Sequence, residues 1–308
     1  MHPEAVKEYS LDGPVSPVCA LREDEAEPFE AAAWPTSAPI TVTRIENGAR
    51  ADCVDHVVEE VPVALVYNGI SHAVMLASPE KLEELALGFS LSEGILAHPA
   101  ELYDLEIRAG DQGIEVHMEI ASRRFMALKE RRRSLAGRTG CGLCGVDSLS
   151  AVARTCAPVV RGAPVSLAAI SAALAALPSL QPLRAATGAV HAAAWSNAAG
   201  RIKFLCEDVG RHNALDKLIG ALARGGIVLQ DGFLLVSSRA SYEMVQKAAG
   251  VGIGCMVALS APTALAVRLA HSAGLTLAGF AREGRLVAYS HGAFITPGAE
   301  WSERSGHA

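Results

Sequence analysis

The stretch Ile202-Lys-Phe-Leu-Cys-Glu-Asp-Val-Gly-Arg-His-Asn-Ala-Leu-Asp-Lys217 decides the fold of this chain. Its first residues, Ile202 to Cys206, predict a β-strand, and a helix is expected from about Asn213 to Ala223. A strand that runs directly into a helix is the building unit of an α/β layer. Anions bind where such a strand end meets a helix, because free backbone amides point outward there. The stretch therefore predicts an α/β core with a ligand site at the strand end.

The charged residues of this stretch also have a simpler interpretation, as a capped helix with a solvated face. Asn213 would be the N-cap, and Asp216 would lie in the first turn, where a carboxylate is favourable. This interpretation does not explain why Arg211 and His212 stand beside the cap. Both interpretations stay open at this point.

Further strands and helices alternate along the second half of the chain, which indicates parallel strands in one sheet. Polar residues stand at three successive strand ends: Ser237-Ser238-Arg239, Ser260 to Thr263, and Phe280 to Arg285. Because the carboxyl ends of parallel strands share one edge, these residues would line a single crevice. Each also has a plainer interpretation, as a helix cap or an exposed hairpin. Arg282 and Arg285 flank a glycine turn, where two guanidinium groups could bind phosphate in bidentate fashion.

The first half predicts a β-rich subdomain behind an N-terminal tail. Residues 1–39 are rich in Ala, Pro and Glu without periodicity, which predicts a disordered tail. Asn47-Gly48 and Asn68-Gly69 each join two β-rich runs and predict hairpins. Ser78 is expected to cap a helix with Pro79 at its first position. Another strand pair is expected around Asp111 to Gly113.

Composition limits the function classes. The chain has 308 residues, of which 50% are hydrophobic and 19% are charged, and its mean hydropathy is +0.25. Prolines and glycines interrupt the most apolar stretches, so no membrane span is expected. No secretory signal is predicted, and seven cysteines, an odd number, argue against a disulfide framework, so a reducing cytoplasm is expected. The net charge of −6 gives no reason to expect nucleic-acid binding.

Cys141 and Cys144 lie three residues apart in Gly140-Cys-Gly-Leu-Cys-Gly145. Flanking glycines permit turns and close approach of another molecule, which favours a loop that presents reactive sulfur. A zinc site is the weakest interpretation, because no second Cys or His pair has suitable spacing. Thiol–disulfide exchange and transfer of persulfide sulfur remain equally open from the spacing alone.

A basic run leads into this motif and indicates either a solvated helix face or a guide for an anionic partner. Its members are Arg123, Arg124, Lys129, Arg131, Arg132, Arg133 and Arg138.

The chain resembles the FdhD family over about residues 40–291. Four motifs carry this resemblance, in this order: the cysteine motif, the Glu207 to Lys217 run, Ser237-Ser238-Arg239 and Phe280-Ala-Arg-Glu-Gly-Arg285. The resemblance implies a sulfurtransferase that takes sulfur from a cysteine desulfurase. It would pass this sulfur to the molybdenum bis(molybdopterin guanine dinucleotide) cofactor, which then enters formate dehydrogenase. A thiol–disulfide oxidoreductase and a non-catalytic cofactor chaperone are the alternatives.

The resemblance also implies roles for residues. Cys141 would carry the persulfide, and Cys144 matches the second cysteine of the family. The cofactor-binding segment would be Phe280, Ala281, Arg282, Glu283, Gly284 and Arg285. No resident metal is implied, since the zinc signature of deaminases is not present in the sequence.

The implied fold is a cytidine-deaminase-like α/β core, with a mixed sheet flanked by helices, and the implied assembly is a homodimer. The expected organisation is a tail at 1–39, a β-rich subdomain with one helix at 40–136, the CxxC loop and a connecting helix at 137–186, the core at 187–295 and a tail at 296–308.

Overall fold

The computed structural model describes residues 34–136 and 157–297. Its first element is an antiparallel ribbon of β1 (Ser37–Glu46) and β2 (Ala49–Val58), which turns at Asn47-Gly48 as predicted. Both turn residues have positive φ, the conformation that favours Asn-Gly. Strand β1 starts three residues inside the segment that the sequence assigned to a tail. The rest of that predicted tail, up to residue 33, lies outside the described residues.

A four-stranded sheet follows, in the order β4-β3-β6-β5. Strands β3 and β6 are parallel, and the outer pairs are antiparallel. The helix α1 shares a core with this sheet, to which Leu65, Leu85 and Val116 contribute fully buried side chains. In chain order these elements are β3 (Val61–Tyr67), β4 (Ile70–Ala77), α1 (Leu82–Ser92), β5 (Leu102–Gly110) and β6 (Gly113–Ile120).

The predicted cap of α1 was wrong. The helix begins at Leu82, its N-cap is Lys81 in a left-handed conformation with φ of 51°, and no side chain caps it. Ser78 instead belongs to a buried polar cluster described below, in which its hydroxyl oxygen accepts from the Val209 amide at 3.2 Å rather than from an amide of the helix. Helix α2 (Ser122–Ala136) carries most of the basic run. There, Arg124 Nε donates to both oxygens of Glu101 at 2.8 and 2.9 Å, so this arginine is not a freely solvated charge.

The second half forms a six-stranded mixed sheet in the order β13-β12-β11-β10-β8-β9. Strands β10, β11 and β12 are parallel, and the other neighbouring pairs are antiparallel. In chain order the elements are β7 (Val165–Ser166), α3 (Leu167–Ala176), α4 (Pro182–Thr187), β8 (His191–Asn197), β9 (Ile202–Asp208), α5 (Arg211–Arg224), β10 (Gly232–Val236), α6 (Tyr242–Gly250), β11 (Cys255–Ala258), α7 (Ala264–Ala273), β12 (Thr276–Arg282), β13 (Arg285–Ser290) and β14 (Ile295–Thr296), which pairs with β7.

Helices cover both faces of this sheet. Helices α5, α6 and α7 share one core with it, in which Trp195, Leu218 and Met256 are almost fully buried. Helix α3, expected as part of a connecting segment, packs on the opposite face around Ile170 and Phe233. The predicted mixed α/β sheet is therefore confirmed, and its likeness to cytidine deaminases stays a prediction. Among the described helices, none combines the length and the apolar character needed to cross a bilayer.

The two halves meet where α1 crosses α5. A Cβ atom added to Gly88 would lie 1.7 Å from the backbone oxygen of Asp216, and one added to Gly220 would lie 2.0 Å from the oxygen of Glu84. Both distances are far inside van der Waals contact, so glycine is required at both positions for the helix backbones to touch. The helix crossing thereby fixes the four-stranded sheet against the six-stranded one.

We expect Gly88→Ala to destabilise the protein by about 3 kcal/mol or more, because the methyl group meets backbone that has no room to move. The matched control is Gly250→Ala in α6, where the nearest atom to an added Cβ is 3.7 Å away. The midpoint of chemical denaturation measures both variants. Equal midpoints for the two variants would contradict the helix crossing described here.

Candidate functional site

The candidate site lies along one edge of the six-stranded sheet. Strands β9, β10, β11 and β12 all end at this edge, and the antiparallel β8 and β13 start there. The polar groups that the sequence placed at successive strand ends are therefore brought together, as predicted. From β9 to β12 the edge spans four strand spacings, or about 19 Å at about 4.8 Å each.

At the β9 end, the carboxylate of Asp208 is fully buried and holds a polar cluster together. Its Oδ2 lies 2.6 Å from Lys217 Nζ and accepts a hydrogen bond from the Ser78 amide at 3.0 Å. Its Oδ1 accepts from the Gly210 amide at 2.8 Å and from Asn213 Nδ2 at 2.9 Å. Asp208 thus neutralises a buried ammonium group and ties the loop before α1 to the start of α5.

The interpretation of this run as a capped helix with surface charges was wrong. Helix α5 starts at Arg211, its N-cap is Gly210, and Asn213 donates instead to Asp208 and to the Leu76 carbonyl at 2.7 Å. Asp216 and Lys217 are buried. The side chains of Asp216 and Lys217, which the sequence predicted to lie on a solvated helix face, are therefore part of the protein interior.

The carboxylate of Glu207, the neighbour of Asp208, binds the amino-terminal end of another helix. Its two carboxylate oxygens accept from the amides of Leu183 and Arg184, each at 2.9 Å. These amides are in the first turn of α4, so Glu207 caps a short helix that sequence analysis did not predict. Helix α4 is held beside the strand end, together with Arg184.

A second buried cluster joins α1, α5 and α6. Lys247 Nζ lies 2.9 Å from Asp216 Oδ2 and 2.9 Å from Glu93 Oε1, and Ser92 donates to Asp216 at 2.7 Å. Burial raises the pKa of Asp216, against the opposing effect of Lys247. Burial also opposes the charge on Lys247, but Asp216 and Glu93 outweigh it and raise the pKa of this ammonium group. The close contacts of Lys247 with Asp216 and Glu93 therefore offset part of the cost of burying these groups.

Four basic side chains remain at the β9 end of the edge: Arg184, His191, Arg211 and His212. His191 pairs across the sheet with Asp208 at the start of β8. Burial, followed by Arg211 and Arg184, lowers the pKa of His191. Burial, followed by Arg211, also lowers the pKa of His212, whose Nε2 lies 3.4 Å from a Glu243 oxygen. Both imidazoles are thus held neutral at pH 7 beside a guanidinium group.

At the other end, Phe280 to Arg285 forms the close of β12 and the turn into β13. Phe280 has φ of 50° at an irregularity in the β12–β13 pairing, and its side chain is 49% exposed. A bulky residue in this backbone region is strained, and such strain concentrates at functional sites. Arg282 donates to the carbonyls of Leu259 and Ala281, at 2.7 and 2.8 Å. The Gly284 amide donates to Ser171 Oγ at 3.0 Å, which fixes the turn on α3.

The middle of the edge is mostly structural. Ser237 Oγ accepts from the Ala192 amide at 2.8 Å, which joins β10 to β8. Ser238 is buried and donates to the carbonyl of Arg239. Arg239 itself is exposed, and Ser260 accepts from the Phe280 amide through its carbonyl at 3.1 Å. Cys141 and Cys144 lie outside the described residues, so their assignment as the reactive cysteines stays a prediction.

A scan against family models matches residues 58–296 to the FdhD/NarQ family. The chain belongs to the FdhD/NarQ family. A Cupriavidus necator relative, named sulfur carrier protein FdhD, is 58% identical over 257 residues, or 83% of this chain and 89% of the relative. A Bordetella petrii protein of the same name is 54% identical, over 82% of this chain and 92% of the relative.

The fold is similar to the crystal structure of a protein from Desulfotalea psychrophila that is described as a formate dehydrogenase accessory protein. The TM-score is 0.66 at 24% identity, covering 85% of this chain and all of the other. That likeness supports the fold of this FdhD/NarQ chain.

Sequence analysis missed His191, Arg184 and the capping role of Glu207. His191 could have been found, because extending the predicted strand Ile202 to Cys206 by two residues reaches Asp208, and the neighbouring strand places His191 opposite it. Helix α4 gave no comparable signal, since its six residues are too few for a helical period and its cap comes from a distant strand.

We expect Lys217→Met to destabilise this FdhD/NarQ protein by about 3–5 kcal/mol, because it leaves the Asp208 carboxylate buried without its cation. Lys203→Met, at an exposed position of β9, is the control and should change stability by less than about 0.5 kcal/mol. Denaturant titration of both variants is the test. A Lys217→Met protein as stable as the control would show that the buried pair contributes little.

Proposed function

We propose that this protein carries sulfur as a persulfide on Cys141 and delivers it to the molybdenum bis(molybdopterin guanine dinucleotide) cofactor for a formate dehydrogenase. The observation that carries the proposal is the family match, which spans both cysteines and the motifs of the sheet edge. The relatives' name, sulfur carrier, supports sulfur transfer, and the accessory-protein description of the structural neighbour supports a link to formate dehydrogenase. A cysteine desulfurase as donor, a homodimer and a cytoplasmic location belong to the same proposal.

In the loading step, the Cys141 thiolate attacks the terminal sulfur of the donor's cysteine persulfide. The sulfur–sulfur bond of the donor breaks, and the donor cysteine leaves as a thiolate. Cys141 then carries the terminal sulfur, and no external oxidant is consumed.

In the release step, the Cys144 thiol attacks Cys141 Sγ. A Cys141–Cys144 disulfide forms, and the terminal sulfur leaves as hydrosulfide with the two electrons that the thiols supply. A cellular dithiol then reduces the disulfide. The spacing of three residues between the cysteines suits this exchange.

The acceptor is a long, polyanionic ligand with guanine bases, and the Phe280 to Arg285 segment has groups for each part. The exposed ring of Phe280 offers a stacking surface for a base, and strain in its backbone is consistent with a position retained for binding. Arg285 is exposed, and Arg282 is held in place by two backbone carbonyls, so its remaining donors are pre-oriented for phosphate. We therefore assign this segment to one nucleotide end of the cofactor.

Incubation with a cysteine desulfurase and cysteine should add the mass of one sulfur atom to the wild-type chain, and peptide mass spectrometry should locate it on Cys141. Cys141→Ala should abolish the addition. Cys53→Ser, at a half-buried thiol of the β1–β2 ribbon, is the control and should keep it.

Two outcomes contradict the proposal. A Cys141–Cys144 disulfide without any sulfur uptake would indicate a thiol–disulfide oxidoreductase. Unchanged activation of formate dehydrogenase by Cys141→Ala would indicate a chaperone that holds the cofactor without transferring sulfur.

A further inference from the structure

At the β9 end of the sheet edge, two guanidinium groups, those of Arg184 and Arg211, form no ion pair with any described carboxylate. The positive charges of Arg211 and Arg184 both lower the pKa of His191. The buried carboxylates of Asp208 and Glu207 bind other groups. Asp208 is paired with Lys217, and Glu207 caps α4. The carboxylate of Glu243 lies 3.4 Å from His212 Nε2 and also feels the charge of Arg211. Among the described residues, however, no carboxylate lies within ion-pair distance of the Arg184 or Arg211 guanidinium group.

Arg211 also has an unsatisfied donor. Its Nε is buried, and within the part of the chain that the structure describes it makes no hydrogen bond. Nε2 of the neighbouring His212 has the Glu243 carboxylate at 3.4 Å. Buried polar atoms without partners cost free energy, so each such atom in a folded protein needs an explanation. A bound ligand with acceptor oxygens would satisfy the Arg211 Nε donor.

The backbone adds donors at the same place. Arg211 and His212 are the first two residues of the 14-residue helix α5, whose N-cap is Gly210. Since glycine has no side chain, it cannot accept from the first amides of the helix, and no side-chain cap is formed there. Free amides and the helix dipole both favour an anion at this point.

We propose that Arg211, His212, His191 and the first turn of α5 form a phosphate-binding subsite, separate from the Phe280 to Arg285 segment. The guanidinium of Arg211 and the two imidazoles surround the phosphate, and Arg184 contributes positive charge from α4. The subsite lies about 19 Å along the edge from the end of β12, four strand spacings away. A compact anion reaches one of these places, whereas an extended ligand with separated phosphates reaches both.

The identity of the ligand rests on the proposed function, because the phosphate assigned to this subsite is one of those in the molybdenum cofactor. The subsite itself does not rest on it. Free inorganic phosphate and the phosphate of a nucleotide share the required chemistry, so the test separates these two sources.

The test is calorimetric titration of the full chain with inorganic phosphate, pyrophosphate and guanosine diphosphate. Wild-type protein should bind the two diphosphates more tightly than inorganic phosphate. Arg211→Gln should weaken pyrophosphate binding roughly ten- to hundredfold, the loss expected for hydrogen bonds to a charged group. Arg211→Lys should restore only part of it, because an ammonium group cannot bind in bidentate fashion.

Arg239→Gln is the matched control, since this exposed arginine lies at the neighbouring end of β10 and outside the subsite. It should bind pyrophosphate like the wild type. Thermal denaturation should show Arg211→Gln folded, because the Nε of Arg211 makes no hydrogen bond that the substitution would remove.

Arg285→Gln separates the two proposals. If Arg285→Gln weakens guanosine diphosphate binding and Arg211→Gln weakens neither ligand, the subsite is wrong and the proposed function stands. If Arg211→Gln weakens pyrophosphate binding and Arg285→Gln changes nothing, the subsite stands and the cofactor segment is wrong. Equal affinity of wild type and Arg211→Gln for all three probes, or no binding of any probe to the wild type, would overturn the subsite.

Discussion

The buried carboxylate of Asp208 is the interaction on which the described fold depends. It pairs with Lys217 from α5 and accepts the Ser78 amide from the loop before α1, and these residues are 130 or more positions from Ser78 in the chain. A buried charge of this kind is tolerated only when it is paired and hydrogen-bonded. Around it, Gly88 and Gly220 allow α1 and α5 to touch, and the Asp216–Lys247 pair links α5 to α6. Together these contacts hold the end of β9 in place.

This arrangement divides one short motif between structure and ligand binding. Four polar side chains of the motif make only internal contacts in the described structure: those of Glu207, Asp208, Asn213 and Lys217. Arg211, at the first position of α5, instead has a buried Nε that makes no hydrogen bond within the described residues. Because the internal contacts are long-range and buried, they give the edge a rigid frame, and a rigid frame reduces the entropy lost when an anion is bound. The charged residues of the motif therefore serve two purposes that its sequence alone did not separate.

Local patterns were enough to predict most of the fold. Asn47-Gly48 and Asn68-Gly69 fixed two hairpins, because few other dipeptides adopt the required positive φ. The alternation of strands and helices after residue 187 predicted parallel strands whose ends share one edge, whereas the mixed character of the sheet followed from the family resemblance. The start of α1 and the burial of Asp216 and Lys217 were not predictable in this way, since their partners lie far away in sequence. For the site, the sequence predicted the polar strand ends. It did not predict the position of His191, which depends on the strand register, or the cap by Glu207, which depends on a helix of only six residues.

The central claim is that sulfur moves from Cys141 to the molybdenum cofactor bound at this edge. The most direct test loads the protein with radiolabelled sulfur from a cysteine desulfurase, adds the cofactor, and separates cofactor from protein. We expect the label to appear in the cofactor with wild-type protein, and neither to load nor to transfer with Cys141→Ala. A label that loads on Cys141 but stays with the protein, while formate dehydrogenase still becomes active, would contradict the account.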